Sequence, residues 1–188
     1  MNAMVQVEQR MTADEYLAAP DDGRRTWLVD GEVVLNQPGN LHQVVLLDLI
    51  VVLTGWASHA RGRGRVSLPL DVKLDEWNVF GPDVMWYAEA RVPGRHDPRP
   101  YPLPDLAVEV RSPSTWRYDI GAKKAAYERA GLRELWLVDT AASEVLIFRR
   151  SSPRATSFDV SLELAVGDEL TSPQLPGFAL ALASLFGD

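Results

Sequence analysis

Cysteine is absent from the chain, so neither a disulfide framework nor a thiolate metal site can form, which suits a reducing interior. An excess of basic charge is missing as well. The formal net charge is -7, the wrong sign for tight non-specific binding to nucleic acid, which leans on a cationic surface that displaces counterions. Any contact with nucleic acid must then be local. The candidates are Arg61, Arg63 and Arg65 in an Arg-Gly-Arg-Gly-Arg turn, and Arg91, Arg95 and Arg99 in a later loop. The same arginines also read as ordinary solvated loop residues. Long apolar runs are lacking too. The longest, Val44 to Leu53, is interrupted by Asp48 and falls short of the ~20 residues that a bilayer crossing takes. Met1 to Arg10 carries acidic and amide residues in place of the apolar stretch of a signal peptide. The expectation is a cytoplasmic chain without a membrane segment. No internal repeat is present.

What is there is ordinary for a globular protein: 46% hydrophobic and 24% charged residues over 188 positions, enough for one well-buried domain spanning 1–188. Thr12 and Glu15 form a capping box, predicting a short helix from Ala13 that Pro20 to Gly23 end. Trp27 to Val29 and Glu32 to Leu35 flank Asp30-Gly31, a hairpin signal, and this hairpin is expected to open the sheet. Leu41 to Ala60 is apolar almost all round and predicts a long helix buried against that sheet, closed by Gly62 and Gly64. His42, on its first turn, reads as a structural or capping residue. Val66 to Leu68, Leu70 to Leu74 and Val84 to Tyr87 are strand candidates, with Asp83 at the mouth of the last. Pro93, Pro98, Pro100, Pro102 and Pro104 remove backbone donors and predict a surface loop. Leu135 to Val138 and Val145 to Phe148 predict a second hairpin, Arg149 to Thr156 a polar connector, and Leu180 to Phe186 a closing helix.

The chain is organised around Pro104 to Tyr127. Leu106, Val108 and Val110 alternate with Asp105, Ala107, Glu109 and Arg111, the period of a strand with one face on a core, which sets Glu109 and Arg111 on the same side. Ser112 to Ser114 stop the strand. Beyond them Asp119, Lys123 and Tyr127 recur every four residues, on one face of a helix. Asp83 and Glu109 at strand ends can hold a hard divalent cation such as magnesium. Lys123, aimed back from the helix, can orient or deprotonate a water, or steady charge on a phosphate. Spacing alone equally allows an ordinary helical salt bridge from Asp119 to Lys123, worth ~0.3 kcal/mol.

The chain resembles the Uma-two family, a restriction-endonuclease-like branch of the PD-(D/E)XK nuclease superfamily. The likeness is carried by Met11 to Leu17, Val29 to Val34, His42, Pro82-Asp83 and Pro104 to Val110. Ser112 to Thr115, Asp119, Lys123, Tyr127, Gly131, Glu134 to Asp139 and Leu175 to Phe178 continue it. The resemblance implies an α/β fold, a mixed sheet flanked by helices with additional N- and C-terminal hairpins, and magnesium-dependent cleavage of a phosphodiester bond in DNA. It assigns Asp83 as the motif aspartate and Glu109 as the second metal-binding carboxylate. The lysine usual two residues later stands instead on the helix, as Lys123. Position 111 is Arg111, a poor proton acceptor that suits a phosphate clamp. One departure is Trp27, where similar sequences often carry an acid; Glu32 is the nearest carboxylate and also reads as a hairpin surface residue. Cutting both strands suits a homodimer with two sites. Two rival readings remain: a nuclease-fold binding or assembly protein with impaired catalysis, and a phosphodiesterase acting on small nucleotides.

Overall fold

In the computed structural model, which describes residues 10–20 and 22–187, the chain starts as the capping box requires. The Glu15 amide donates to the Thr12 hydroxyl, the Glu15 carboxylate accepts from the Thr12 amide at 2.8 Å, and helix α1 runs Ala13–Ala18. Residues 1–9, where no signal peptide is expected, lie outside the described residues, as do Asp21 and Asp188. Strands β1 (Thr26–Val29) and β2 (Glu32–Leu35) pair antiparallel, and Asp30 and Gly31 turn between them with φ of 49° and 82°. Both positive values match the tight hairpin turn that an Asp-Gly pair favours.

Helix α2 (Asn40–Ser58) follows, then β3 (Arg65–Ser67), β4 (Val72–Lys73), β5 (Val79–Phe80) and β6 (Val84–Tyr87). After the proline-rich loop come β7 (Leu106–Val110), a helical segment of α3 (Trp116–Tyr118), a π-turn (Asp119–Lys123) and α4 (Lys124–Ala130), then β8 (Glu134–Asp139) and β9 (Glu144–Arg149). The remainder holds β10 (Val160–Ala165), β11 (Glu169–Leu170), β12 (Leu180–Ala181) and α5 (Ala183–Phe186).

A six-stranded sheet in the order β10-β9-β8-β7-β6-β3 forms the centre. Its pairs are antiparallel except β7 and β8, which run parallel because the α3–α4 segment carries the chain back between them. The N-terminal hairpin does not open this sheet. It belongs to a second, four-stranded sheet ordered β2-β1-β5-β4, so the expectation of one sheet beginning at Trp27 is corrected. The two-residue β5 supplies the pairing that decides it, through Leu28 opposite Val79. Leu70 to Leu74 shrinks to β4, and Leu180 opens as a strand paired with β11 before the closing helix.

Helices cover both faces of the central sheet. On one face α2 and the C-terminal segment pack Leu49, Leu53 and Trp56 with Val84, Leu106, Val108, Trp136 and Phe178. On the other, α4 packs Ala126 and Tyr127 with Trp27, Phe80, Ala107, Leu135 and Leu137. Strand β7 is therefore buried along its whole length rather than on one face. Burying a side chain such as Leu or Phe contributes about 1.5–3 kcal/mol, and these two layers fix the strand ends that bear the acidic residues. By length and composition α2 is apolar enough to span a bilayer, with mean hydropathy 1.6, but its inner face is part of the core.

Candidate active site

Asp83 stands immediately before β6 and Glu109 near the end of β7, on neighbouring antiparallel strands. The Val110 amide donates to Asp83 Oδ2 at 2.9 Å, tying the two strand ends together. Because side chains alternate along β7, Glu109 shares the side of Ala107 and points into the layer formed by Trp27, Phe80 and Tyr127. The three side chains spaced by four residues converge there. Lys123 Nζ lies 2.6 Å from Glu109 Oε1 and 2.8 Å from Asp119 Oδ1, and the Tyr127 hydroxyl donates to Glu109 Oε1 at 2.7 Å.

The lysine is carried on a π-turn, a rare helix form that occurs mostly as single turns and often at functional sites. Its pair with Asp119 is indeed an i,i+4 salt bridge, but not a surface one. Asp83, Glu109, Asp119 and Lys123 are all at most 3% exposed. Aromatic rings complete the enclosure, with Trp27 5.7 Å and Phe80 5.6 Å from Lys123 Nζ. Trp27 also packs closely on Gly81, where an added Cβ would come within 2.6 Å of the indole.

Three carboxylates share one ammonium here, and charge balance governs their protonation. Burial pushes Glu109 up to about 8; Lys123 opposes that shift, while Asp119 and Asp83 reinforce it. Burial likewise raises Asp119 against the pull of Lys123. For Lys123 burial disfavours the charged form, but Asp119 and Glu109 outweigh it and hold the ammonium above its ordinary range. Burial and the charge of Glu109 lift Tyr127 well above a free phenol, so its hydroxyl stays a donor.

His42 belongs to this cluster, and of its two readings, structural or capping residue, only the cap is corrected. The N-cap of α2 is Gly39, without a side-chain cap. The His42 ring is 3% exposed, with Nδ1 3.4 Å from the Arg111 carbonyl and Nε2 3.5 Å from Asp83 Oδ1. Nε2 makes no hydrogen bond as placed. Burial works against protonation of this ring, yet Asp83 outweighs it and the imidazole is shifted upward. Only the family resemblance singles out this position in the sequence; its contacts lie 41 and 69 residues away and leave no local signal.

Other candidates separate from the cluster. Arg111 is bound by both oxygens of Asp139 at 2.8 Å and stacks 5.5 Å from Trp116, so it is committed to a structural pair. Glu32 is exposed on β2, opposite Val29. Arg63 stacks on Trp56 and donates to its carbonyl, Arg65 donates to Pro93, Arg91 pairs with Asp105, and Arg99 pairs with Asp71. Arg61 and Arg95 are exposed and make no ion pair among the described residues. Arg61 also follows the far end of α2 from His42, about 24 Å away at 1.5 Å per residue.

The donor set suits a hard cation: it is oxygen-rich, with three carboxyl groups near one ammonium, and an orphaned imidazole nitrogen faces Asp83. No group of three or more acidic, histidine or cysteine side chains stands ready to ligate a metal among the described residues. Asp83 and Glu109 would therefore be joined by waters or backbone oxygens. A groove of about 870 Å³ runs alongside, between residues 22–27 and α2, and Trp27 lies on both the groove and the site.

A mixed sheet flanked by helices, with acidic residues at adjacent strand ends and a lysine returned from the following helix, defines a nuclease-like α/β protein. The architecture matches the crystal structure of a putative nuclease of DUF820 from Anabaena variabilis with a TM-score of 0.77, covering 94% of this chain and 97% of that one at 17% identity. The family model Uma2, "putative restriction endonuclease", matches residues 13–183, and the chain belongs to that family. No curated protein matches it.

Proposed function

We propose that the chain is a magnesium-dependent endonuclease that hydrolyses phosphodiester bonds of DNA, with Asp83 and Glu109 holding the cation and Lys123 beside it. One observation carries the reading: a buried cluster at two strand ends where carboxyl groups outnumber their single ammonium. Magnesium, when bound, would supply Lewis-acid polarisation of a phosphoryl oxygen and lower the pKa of an attacking water. The chain's own residues do the rest. Glu109 loses its proton to become a ligand. Tyr127 and the Val110 amide fix the orientations of Glu109 and Asp83. Lys123 stays protonated between Asp119 and Glu109, so it stabilises developing phosphate charge and does not act as the base. A duplex cut on both strands further requires two sites, and the proposed enzyme is a homodimer.

Purified protein should nick or cut DNA with magnesium and stop with chelator, and Glu109→Ala should be inert; equal activity of that variant would end the reading. The rival assembly role is favoured by Trp27 covering Lys123 and by the lock of Lys123 onto two carboxylates. Calorimetry showing no magnesium uptake at millimolar concentration, with a stable complex retained, would select it.

A further inference from the structure

Among the described residues only two buried side-chain polar atoms lack a hydrogen-bond partner, Asn36 Oδ1 and His42 Nε2. Folded chains rarely orphan such atoms, because each has given up its water with nothing in exchange. Both stand on the link from β2 into α2. The imidazole faces Asp83; Asn36, 8% exposed, is the atom left without an account.

The backbone brings Asn36 to the same place. Its amide donates to the Arg25 carbonyl at 2.9 Å, which extends the β1–β2 ladder one rung beyond Thr26 and Leu35. Residues two apart on a strand share a face, and so do residues directly opposite across a ladder. Asn36 therefore lies on the face of Val34 and Trp27, the face packed on Phe80 and Tyr127, where the Trp27 ring stands 5.7 Å from Lys123 Nζ. The rung also extends toward the acids. Leu28 pairs antiparallel with Val79, so β1 read back from Trp27 to Arg25 runs in the direction in which the neighbouring chain passes from Phe80 to Asp83. From the other side, the Ser112 hydroxyl reaches the Gln37 carbonyl at 3.5 Å, just past the end of β7.

We propose that Asn36 is a positioning residue for the cation's water shell: its carbonyl oxygen accepts a hydrogen bond from a water carried by magnesium at Asp83 and Glu109, an assignment that rests on the magnesium reading above. Magnesium dehydrates reluctantly and, held by two carboxylates, keeps several waters whose protons need acceptors. Few acceptors are left. Lys123 only donates, Asp119 Oδ1 accepts from Lys123, and Glu109 Oε1 meets both Tyr127 and Lys123. A carboxamide oxygen accepts without adding charge to a cluster where carboxyl groups already outnumber the ammonium.

A positioning role and a structural one predict opposite signs for Asn36→Leu, which keeps nearly the shape and removes the polar atoms. An orphaned amide costs stability in the metal-free chain, so its removal should leave the thermal midpoint in chelator level or higher. Calorimetric titration of the full chain supplies the second readout. Magnesium keeps its waters where calcium takes more protein oxygens, so magnesium affinity should fall about tenfold and calcium affinity by less than about threefold. Should that variant fail to fold, Asn36→Ala reads the same ratio. Wild type that binds magnesium, with a folded variant binding it equally well, overturns the assignment and leaves the magnesium reading standing. Equal losses for the two cations, or a lower midpoint for Asn36→Leu in chelator, make Asn36 a structural residue and overturn it as well. Wild type that takes up no magnesium ends both.

Discussion

Two buried carboxylates at the opposite ends of one strand show how the same chemistry can serve two purposes. Asp105, immediately before β7, and Glu109, near its end, lie four residues apart, about 13 Å from each other at strand spacing. Asp105 is fully buried, but the Ala88 amide donates to it at 2.9 Å, Arg91 pairs with it at 2.5 Å, and Arg133 stands 3.6 Å away. Both arginines keep much of their surface in water, so one carboxylate meets two cations that stay partly hydrated. Glu109 meets the reverse: one fully buried ammonium, shared with Asp119 and close to Asp83. The first cluster has cations to spare and holds the loop onto the sheet. The second sets three carboxyl groups around one buried ammonium, and burial with that crowding holds a proton on Glu109 up to about 8, an arrangement that a bound cation would relieve.

Substitutions at the two ends should therefore part company, and the largest effect belongs to Glu109. Glu109→Ala is expected to lower DNA cleavage at least about 10³-fold. Asp105→Ala should leave the specific activity of folded protein intact. Its effect falls on stability, about 3 kcal/mol by urea unfolding, the low end for a broken buried pair because the arginines can turn to water. If Asp105→Ala abolished activity in a stably folded protein, the contrast between the two ends would fail.

Proton uptake sharpens the contrast next. Glu109 moves from an ordinary 4.5 up to about 8 in the folded chain, because burial disfavours its charge. The folded state then binds more protons than the unfolded one, so this contribution to stability is fully present below about 4.5 and lost as pH rises through about 8. Urea unfolding in chelator should show stability falling across that window, and Glu109→Gln should flatten the slope. A slope unchanged by the substitution would place the titrating group elsewhere.

Smaller effects follow at the margins of the pocket. His42→Gln removes the imidazole that faces Asp83 and should weaken magnesium binding about tenfold by calorimetry, as loss of a residue behind a ligand does. Arg61→Ala, at the far end of α2, should change DNA affinity by less than about twofold at fixed salt. A large loss there would move the nucleic-acid surface away from the strand ends.

Much of the local structure was legible in the chain itself. The Thr12–Glu15 box, the Asp30-Gly31 turn, the α2 run and the Leu106 to Val110 strand each express preferences of a few adjacent residues, and each formed, although that strand is buried on both faces rather than one. Gly131 ends α4 with φ of 88°, a left-handed conformation that glycine adopts without a Cβ clash. Strand β10 escaped notice because it is an edge strand, mostly exposed, and is held by its ladder with β9 rather than by burial. The two-residue β4 and β5 have too little pattern to read, although β5 decides that the N-terminal hairpin joins a separate sheet. At the candidate site, the spacing of Asp119, Lys123 and Tyr127 was visible, while the role of His42 was not.

The amino-acid order by itself determined where helices, turns and most strands form, and it placed a lysine and two partners on one helical face. These outcomes depend on backbone preference and on spacing of three, four or two residues. Only the tertiary structure decided that Asp83, Glu109, Lys123 and His42, drawn from separate elements, share one buried cluster in which carboxyl groups outnumber the ammonium. Ion pairing and desolvation depend on atoms brought close through space, and no run of neighbouring residues encodes them.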